Sequence, residues 1–254
     1  MIKGLQSEKL QNLKNIRHAF MTRHGGVSTG LFTSLNAAME KQDRPEDVLE
    51  NRRRIANYIG GEAKMLVTAR QIHSNKVIVV EAPWDHADRL EGDALVTTQP
   101  NLMLGIITAD CVPILLADEH TGIVAAVHAG WRGAVTGIIK NTVDTMVDLG
   151  ATRSSIVAGI GPCIWQNSYE VDNQFYQDLP DDHDLFKPSQ KADHWMFDLP
   201  NFAARKLTEA GVTSFTLSPA DTYTHEHDFF SNRRRFHRNE PYFGCMMSCI
   251  MQKL

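Results

Sequence analysis

Residues 102–133, LMLGIITADCVPILLADEHTGIVAAVHAGWRG, contain the pattern that decides the fold. The apolar runs at 102–108, 113–117 and 123–127 are short, and turn or polar residues separate them, which predicts three buried strands. The polar residues 119–122 (EHTG) predict a hairpin turn between the last two strands. We therefore expect this stretch to form part of a sheet core.

The hairpin brings two reactive side chains together. Its strands run antiparallel, so residues whose numbers sum to about 241 lie opposite each other. Cys111 then falls near Gly130, and His128 falls near Pro113. A thiol and an imidazole are thus predicted to meet at one end of the hairpin.

Predicted helices and strands are mixed along the rest of the chain. Pro45 at a first helical position and Gly60 as a stop predict a helix at 45–59. Similar patterns predict helices at 134–149, 171–179 and 201–210, and strands at 65–68, 77–80, 94–97, 155–159 and 214–217. The expected fold class is mixed α/β (α+β), with one domain spanning residues 1–254.

The charge balance argues against two classes of partner. With 26 Lys and Arg against 30 Asp and Glu, the net charge is −4, which attracts neither nucleic acid nor an anionic membrane. The N-terminus lacks a signal-peptide pattern, and the apolar stretch 102–117 is shorter than the roughly 20 residues of a membrane helix. We expect a cytoplasmic protein with a small-molecule substrate, whose oligomeric state the sequence does not decide.

Three residues are candidates for a metal site. Cys111 and His128 are joined by the hairpin argument, whereas no local pattern brings in His73, which is equally an ordinary turn histidine. Two imidazoles and a thiolate suit zinc, and three protein ligands leave a fourth position for water or substrate. Cys245 and Cys249 form C-x3-C without a second pair at metal spacing, and are interpreted as structural thiols.

A series of motifs in this chain resembles the YfiH family of laccase-domain proteins. The motifs occur in the family's order and span roughly residues 20–235, and they are RHGGVS at 23–28, SLN at 34–36, QIH at 71–73, GDA at 92–94, TADCVP at 108–113, HAGWRG at 128–133, GIGPCI at 159–164 and FFSNRR at 229–234. One departure is DTYT at 221–224, where many relatives have Asp-x-Cys-Thr, so no role of that cysteine applies here.

The resemblance implies a fold like that of the cytotoxic necrotizing factor catalytic domain, with β-sheets packed face to face and helices outside. It also implies that His73, Cys111 and His128 bind zinc. The activity it implies is that of a purine nucleoside phosphorylase acting on adenosine, inosine and methylthioadenosine, with adenosine deaminase activity. Cys111, His128 and Asp110 are the expected catalytic residues, and Asp93 is a further candidate for orienting a histidine.

Arginines within or near these motifs are candidates for substrate binding, because a guanidinium group matches phosphate oxygens in a fork. We expect Arg23, Arg52 and Arg233 to contact phosphate or ribose, with Arg234 as a further candidate. Asn36 is a candidate hydrogen-bonding partner of the substrate, although it is equally a turn-forming residue.

Other activities remain open from the sequence. Copper also suits a single site of imidazole and thiolate, but a multicopper polyphenol oxidase needs many paired His-x-His ligands, and the chain offers one such pair at 225–227. Cys111 and His128 could instead act as the nucleophile and base of an amidase that edits peptidoglycan precursors, as some relatives do. A non-enzymatic scaffold would favour a closed site with four ligands.

Overall fold

The computed structural model describes residues 1–39 and 42–254. The strands of these residues are, in chain order, β1 (Gly4–Leu5), β2 (Ile16–Met21), β3 (Leu66–Thr68), β4 (Val77–Val79), β5 (Ala94–Thr97), β6 (Met103–Thr108), β7 (Val112–Ala117), β8 (Val124–Ala129), β9 (Val157–Ile160), β10 (Glu170–Asp172), β11 (Phe186–Pro188), β12 (His194–Phe197), β13 (Ser214–Leu217) and β14 (Met246–Gln252).

The α-helices are shorter in total than the strands and lie between them in the chain. They are α1 (Glu8–Gln11), α2 (Pro45–Ile59), α3 (Trp131–Thr136), α4 (Ile138–Asp148), α5 (Asn173–Gln177), α6 (Leu199–Glu209) and α7 (Asn232–His237). The bounds of α2 confirm the predicted helix, which ends at Gly60 with φ of 87°. Within residues 1–39 and 42–254, none of the helices has the length and apolar character needed to span a membrane.

Two large sheets pack face to face. One has the strand order β1-β2-β14-β6-β3, the other has the order β13-β9-β7-β8-β5-β4, and a small sheet has the order β10-β12-β11. Leu104 and Ile250 of the first sheet share a buried apolar cluster with Leu115 and Ala126 of the second. Helix α2 covers the outer face of the first sheet, and α4 and α6 cover the outer face of the second. The predicted class of face-packed sheets flanked by helices is confirmed.

The hairpin has the predicted register. Pro113 pairs with His128 and Ala117 pairs with Val124, so β7 and β8 follow the expected sum along their length. β7 also pairs with β9, and β8 also pairs with β5, which places the hairpin in the middle of its sheet. The thiol of Cys111 and the imidazole of His128 consequently lie at one end of a buried, well-anchored ladder.

Two predicted helices differ from the structure. The helix expected at 134–149 begins earlier and is divided into α3 and α4, because Gly137 adopts a left-handed conformation with φ of 98°. The helix expected at 171–179 is a strand followed by a short helix. Glu170–Asp172 pairs with β12, and Asp172 then caps α5 by accepting a hydrogen bond from Phe175 N at 2.9 Å.

Candidate metal centre and its cavity

His73, Cys111 and His128 come together at the end of the hairpin. One potential ligand atom from each lies within 4.8 Å of the others. Cys111 Sγ is 3.9 Å from His73 Nε2, and the two imidazole rings meet edge to face with centroids 4.8 Å apart. His128 is on β8, Cys111 precedes β7, and His73 lies in the loop between β3 and β4. Three separate segments thus deliver two nitrogen donors and one sulfur donor.

The carboxylate of Asp93 holds both histidines in place. Asp93 Oδ1 lies 2.8 Å from His128 Nδ1 and also accepts a hydrogen bond from the backbone N–H of His73 at 3.0 Å. Its other oxygen accepts from the N–H and hydroxyl of Ser74 at 2.6 and 2.7 Å. Because Nδ1 of His128 is engaged by Asp93, its Nε2 faces the cluster. A carboxylate behind the histidine is a common partner of metal-binding imidazoles.

Two glycines let the turn after β8 lie against the loop of His73. A Cβ atom at Gly130 would be 2.8 Å from His73 Cδ2 and 3.2 Å from Cys111 Sγ. A Cβ atom at Gly133 would be 2.8 Å from the carbonyl oxygen of Ser74. Any larger residue at these positions would push the histidine loop away from the cysteine.

The electrostatics of the metal-free cluster favour an ion pair between Cys111 and His128. Burial acts against ionisation of the thiol, but the charge of His128 and hydrogen bonds from both histidines outweigh it and lower the pKa of Cys111. Burial likewise acts against a charged His128, yet the thiolate and Asp93 raise the pKa of this imidazole. Burial acts to raise the pKa of Asp93 as well, but hydrogen bonds from His128 and Ser74 outweigh burial and lower this pKa to about 2. The cluster therefore favours a thiolate.

Asp110 is directed toward a different part of the site. Burial raises its pKa, and its carboxylate accepts hydrogen bonds from Thr222 Oγ1 at 2.7 Å, Ser231 Oγ at 3.0 Å and the N–H of Arg233 at 2.6 Å. Among the described residues it makes no hydrogen bond to either histidine of the cluster. Asp110 thus ties the turn of Cys111 to the segment that begins α7.

A cavity of about 760 Å³ opens beside His73 and Cys111. Its walls combine aromatic and charged side chains, which include Trp131, Tyr169, Phe175, Phe236, Arg132, Glu170, Lys191, Arg233 and Arg235. A smaller hollow on the other side of Trp131 and Arg132 also reaches His73. Volumes of this size are typical of small-molecule binding sites.

Of the four residues predicted to bind substrate, one lines the cavity and three do not. Arg233 lines the cavity, where both of its terminal nitrogens donate to the carbonyl oxygen of Glu170 at 3.0 Å. Arg23, Asn36 and Arg52 do not line it. Arg23 Nε donates to Thr33 O at 2.7 Å, and Arg52 Nε donates to Ala37 O at 2.9 Å.

Asn36 and Arg234 are also engaged inside the protein. Asn36 is fully buried. Its amide oxygen accepts a hydrogen bond from the backbone N–H of Cys245 at 2.9 Å, and its amide nitrogen donates one to the carboxylate of Asp43. The guanidinium group of Arg234 donates to the carbonyl oxygens of Thr222, Tyr223 and Phe229. These contacts brace the loops around the site.

A second group of metal-binding side chain types occurs among the described residues. Ligand atoms of His24, His227 and Asp228 also lie within 4.8 Å of one another. The same oxygen of Asp228 that approaches His24 at 3.0 Å is 3.3 Å from Lys3 Nζ. The ammonium group of Lys3 therefore already pairs with this carboxylate.

Three further residues line the cavity and were not predicted from the sequence, namely Trp131, Arg132 and Tyr169. Trp131 and Arg132 follow His128 directly in the HAGWRG motif, and that proximity was the available signal. Tyr169 carried no such signal, because it reaches the cavity through the small third sheet, whose strand β10 was predicted as a helix.

Comparisons with known proteins identify relatives of this chain. A family model described as multi-copper polyphenol oxidoreductase laccase matches residues 17–253. A purine nucleoside phosphorylase of Rickettsia conorii is 37% identical over 217 residues, covering 82% of this chain and 85% of that protein. A purine nucleoside phosphorylase of Deinococcus radiodurans is 44% identical over 170 residues, covering 66% and 64%.

Solved structures extend the similarity to the whole fold. The hypothetical protein YfiH of Bacillus licheniformis superposes with a TM-score of 0.88 at 28% identity, covering 96% of this chain and 95% of that one. YlmD of Geobacillus stearothermophilus gives a TM-score of 0.85 at 28% identity, covering 95% and 93%. With a family model that matches nearly its full length, this chain belongs to the YfiH family of laccase-like proteins.

Proposed function

We propose that this protein is a zinc-dependent purine nucleoside phosphorylase that acts on adenosine, inosine and methylthioadenosine and also deaminates adenosine. The observation that carries the proposal is the open cluster of His73, Cys111 and His128 at the wall of a cavity large enough for a nucleoside and phosphate. The relatives named purine nucleoside phosphorylase support the reaction class.

The donor set of the cluster fits zinc. Zinc bonds of about 2.3 Å to sulfur and about 2.0 Å to nitrogen in a tetrahedron separate the two ligand atoms by about 3.5 Å. The distance of 3.9 Å between Cys111 Sγ and His73 Nε2 is close to this value. When bound, zinc supplies a Lewis acid and lowers the pKa of water at its open position. Copper suits the same donors, so the identity of the metal is part of the proposal.

The residues around the cluster have distinct proposed roles. Asp93 engages Nδ1 of His128 and leaves its Nε2 for the metal. Aromatic side chains such as Trp131 and Tyr169 provide apolar walls on which a purine can stack. We assign Asp110 to positioning rather than proton transfer, because its carboxylate is used to hold the segment at Ser231 and Arg233.

A cysteine-dependent amidase is the second candidate function. The observation in its favour is the pair of Cys111 and His128, in which the imidazole is oriented by Asp93 and the pKa of the thiol is lowered. This is the order of nucleophile, base and orienting carboxylate that acyl transfer requires, and peptidoglycan precursors are its candidate substrates. A zinc-bound thiolate is a poor nucleophile, so metal content separates the two candidates.

The assay follows inosine and adenosine with and without inorganic phosphate and identifies the sugar product by chromatography. We expect wild-type protein to release the purine base together with a pentose 1-phosphate only when phosphate is present. Cys111→Ala and His128→Ala should lose this activity, whereas Cys249→Ala, a change of another buried thiol on β14, should retain it. Purine release that does not depend on phosphate, or no release at all, would contradict the proposal.

A further inference from the structure

Most cationic side chains at the cavity are already engaged by the protein. Arg233 donates with both terminal nitrogens to the carbonyl oxygen of Glu170 at 3.0 Å. Lys191 Nζ lies 2.8 Å from His194 Nε2, and His237 Nδ1 lies 2.9 Å from the hydroxyl of Tyr223. These groups are held in place by partners of their own.

Two arginines of the cavity wall differ from this pattern. In the part of the chain that the structure describes, the guanidinium groups of Arg132 and Arg235 form no hydrogen bond or ion pair. Each instead lies over an aromatic ring, with Arg132 at 4.7 Å from the centroid of Trp131 and Arg235 at 5.9 Å from that of Phe243. Their donors are therefore available to a ligand, and a guanidinium group is well suited to an anion.

Arg132 is the one that directly follows the hairpin carrying Cys111 and His128. It lines both the cavity and the smaller hollow, and His73 lines both as well. Its backbone lies between Gly130 and Gly133, the two positions where the turn touches the His73 loop most closely. The stacking on Trp131 then limits the directions that the guanidinium group can take. An exposed guanidinium group that stacks on Trp131 thus shares the cavity wall with His73.

We infer that Arg132 binds the attacking phosphate of the proposed phosphorylase, an inference that rests on the proposed function. In phosphorolysis a phosphate oxygen bonds to the anomeric carbon of the sugar while the bond from that carbon to the purine nitrogen breaks. The electron pair leaves with the purine, which takes up a proton that hydrogen phosphate supplies. Phosphate must therefore sit next to the reacting carbon. Of the two uncommitted arginines, Arg132 is the one that lines both hollows beside His73.

The test compares Arg132→Ala and Arg132→Lys with Arg235→Ala, and uses Arg53→Ala on the exposed face of α2 as the control for unchanged activity. The KM values for phosphate and for inosine are measured separately for each protein. A second measurement, independent of turnover, follows tryptophan fluorescence during titration with inorganic phosphate.

We expect Arg132→Ala to raise the KM for phosphate by at least about tenfold, because one charge-assisted contact is lost, while the KM for inosine changes by less than about twofold. Arg132→Lys should lie between the wild type and the alanine variant, and phosphate should cease to alter the fluorescence of Arg132→Ala.

The inference is overturned if the phosphate KM of Arg132→Ala equals that of the wild type, or if Arg235→Ala has the larger effect on it. A wild-type protein that binds phosphate through Arg132 but releases no purine would instead contradict the proposed function. The two failures are therefore distinguishable.

Discussion

His18 and His128 are equally buried, each with 3% of its surface exposed, yet the protein treats them in opposite ways. His18 lies on β2, where its Nε2 accepts a hydrogen bond from the backbone of Ser7 at 2.9 Å, and burial lowers its pKa to about 4. His128 lies on β8 between Asp93 and Cys111, and these two acids raise its pKa in spite of burial. Burial thus favours the neutral form of His18, whereas in the metal-free cluster the two acidic neighbours of His128 favour its charged form.

The difference shows that burial alone does not make a histidine functional. Around His18 the available partner is a neutral backbone group, so the imidazole serves as an acceptor within the structure. Around His128 two acidic groups converge at a strand end that opens toward a cavity. Perturbed groups in such surroundings are typical of active sites.

The largest effect concerns the contribution of His18 to the free energy of unfolding at acidic pH. The folded-state pKa of His18 is about 4, whereas that of the unfolded chain is about 6.5, so only the unfolded chain takes up a proton as the pH falls between them. The free energy of unfolding should therefore decrease by about 3 kcal/mol from pH 6.5 to pH 4 through this residue.

Denaturant unfolding of the wild type and His18→Gln over this pH range measures that contribution. Glutamine retains an acceptor for Ser7 but does not titrate, so its unfolding free energy should lack this part of the pH dependence. Parallel curves for the two proteins would show that His18 is not kept neutral.

The next effect concerns Asp93, which distinguishes the surroundings of His128 from those of His18. Asp93→Asn removes the negative charge behind the imidazole while preserving the size of the side chain. We expect affinity for zinc to fall about 10- to 100-fold, because the orienting carboxylate is lost. Competition with a chromophoric chelator measures this, and an unchanged affinity would show that Asp93 does not support the metal centre.

The smallest effect concerns the reactivity of the thiol in metal-free protein. The charge of His128 lowers the pKa of Cys111, so alkylation by iodoacetamide should remain fast well below the ordinary thiol pKa of about 8.5. In His128→Ala only His73 still opposes the effect of burial, so the midpoint of the pH–rate curve should move upward. Mass spectrometry of the peptide containing Cys111 follows the reaction.

Cys249 serves as the internal control in the same experiment. Burial raises the pKa of this thiol, and it has no imidazole partner of the kind that Cys111 has. We expect it to remain unmodified throughout. Equal midpoints for Cys111 in the wild type and in His128→Ala would contradict the ion pair.

Local sequence patterns predicted the strands and helices around the site better than the side chains that meet in it. The register of β7 and β8 and the helix at 45–59 followed from turn residues, apolar periodicity and a glycine stop, all of which act over a few neighbours. The division at Gly137 was missed, because a single glycine inside an apolar helical pattern is compatible with both an intact and a broken helix.

Local sequence patterns could not predict which residues from distant segments meet at the site. His73 joins Cys111 through the hydrogen bonds of Asp93, which connect residues about twenty positions apart. Substrate binding by Arg23 and Asn36, which lie in motifs, and by Arg52, which has a suitable guanidinium group, stays a prediction. In the structure polar atoms of these residues bond to loop residues. Membership of a motif indicated that Arg23 and Asn36 mattered and left their role undetermined.

The zinc content of matched histidine variants tests whether His73, Cys111 and His128 bind the metal. Elemental analysis of wild-type protein, His18→Gln and His128→Gln, each purified and equilibrated with one equivalent of zinc and then dialysed, compares two equally buried histidines. We expect about one zinc per chain in the wild type and in His18→Gln, and nearly none in His128→Gln. Equal zinc in all three proteins, or none in the wild type, would contradict a metal centre at His73, Cys111 and His128.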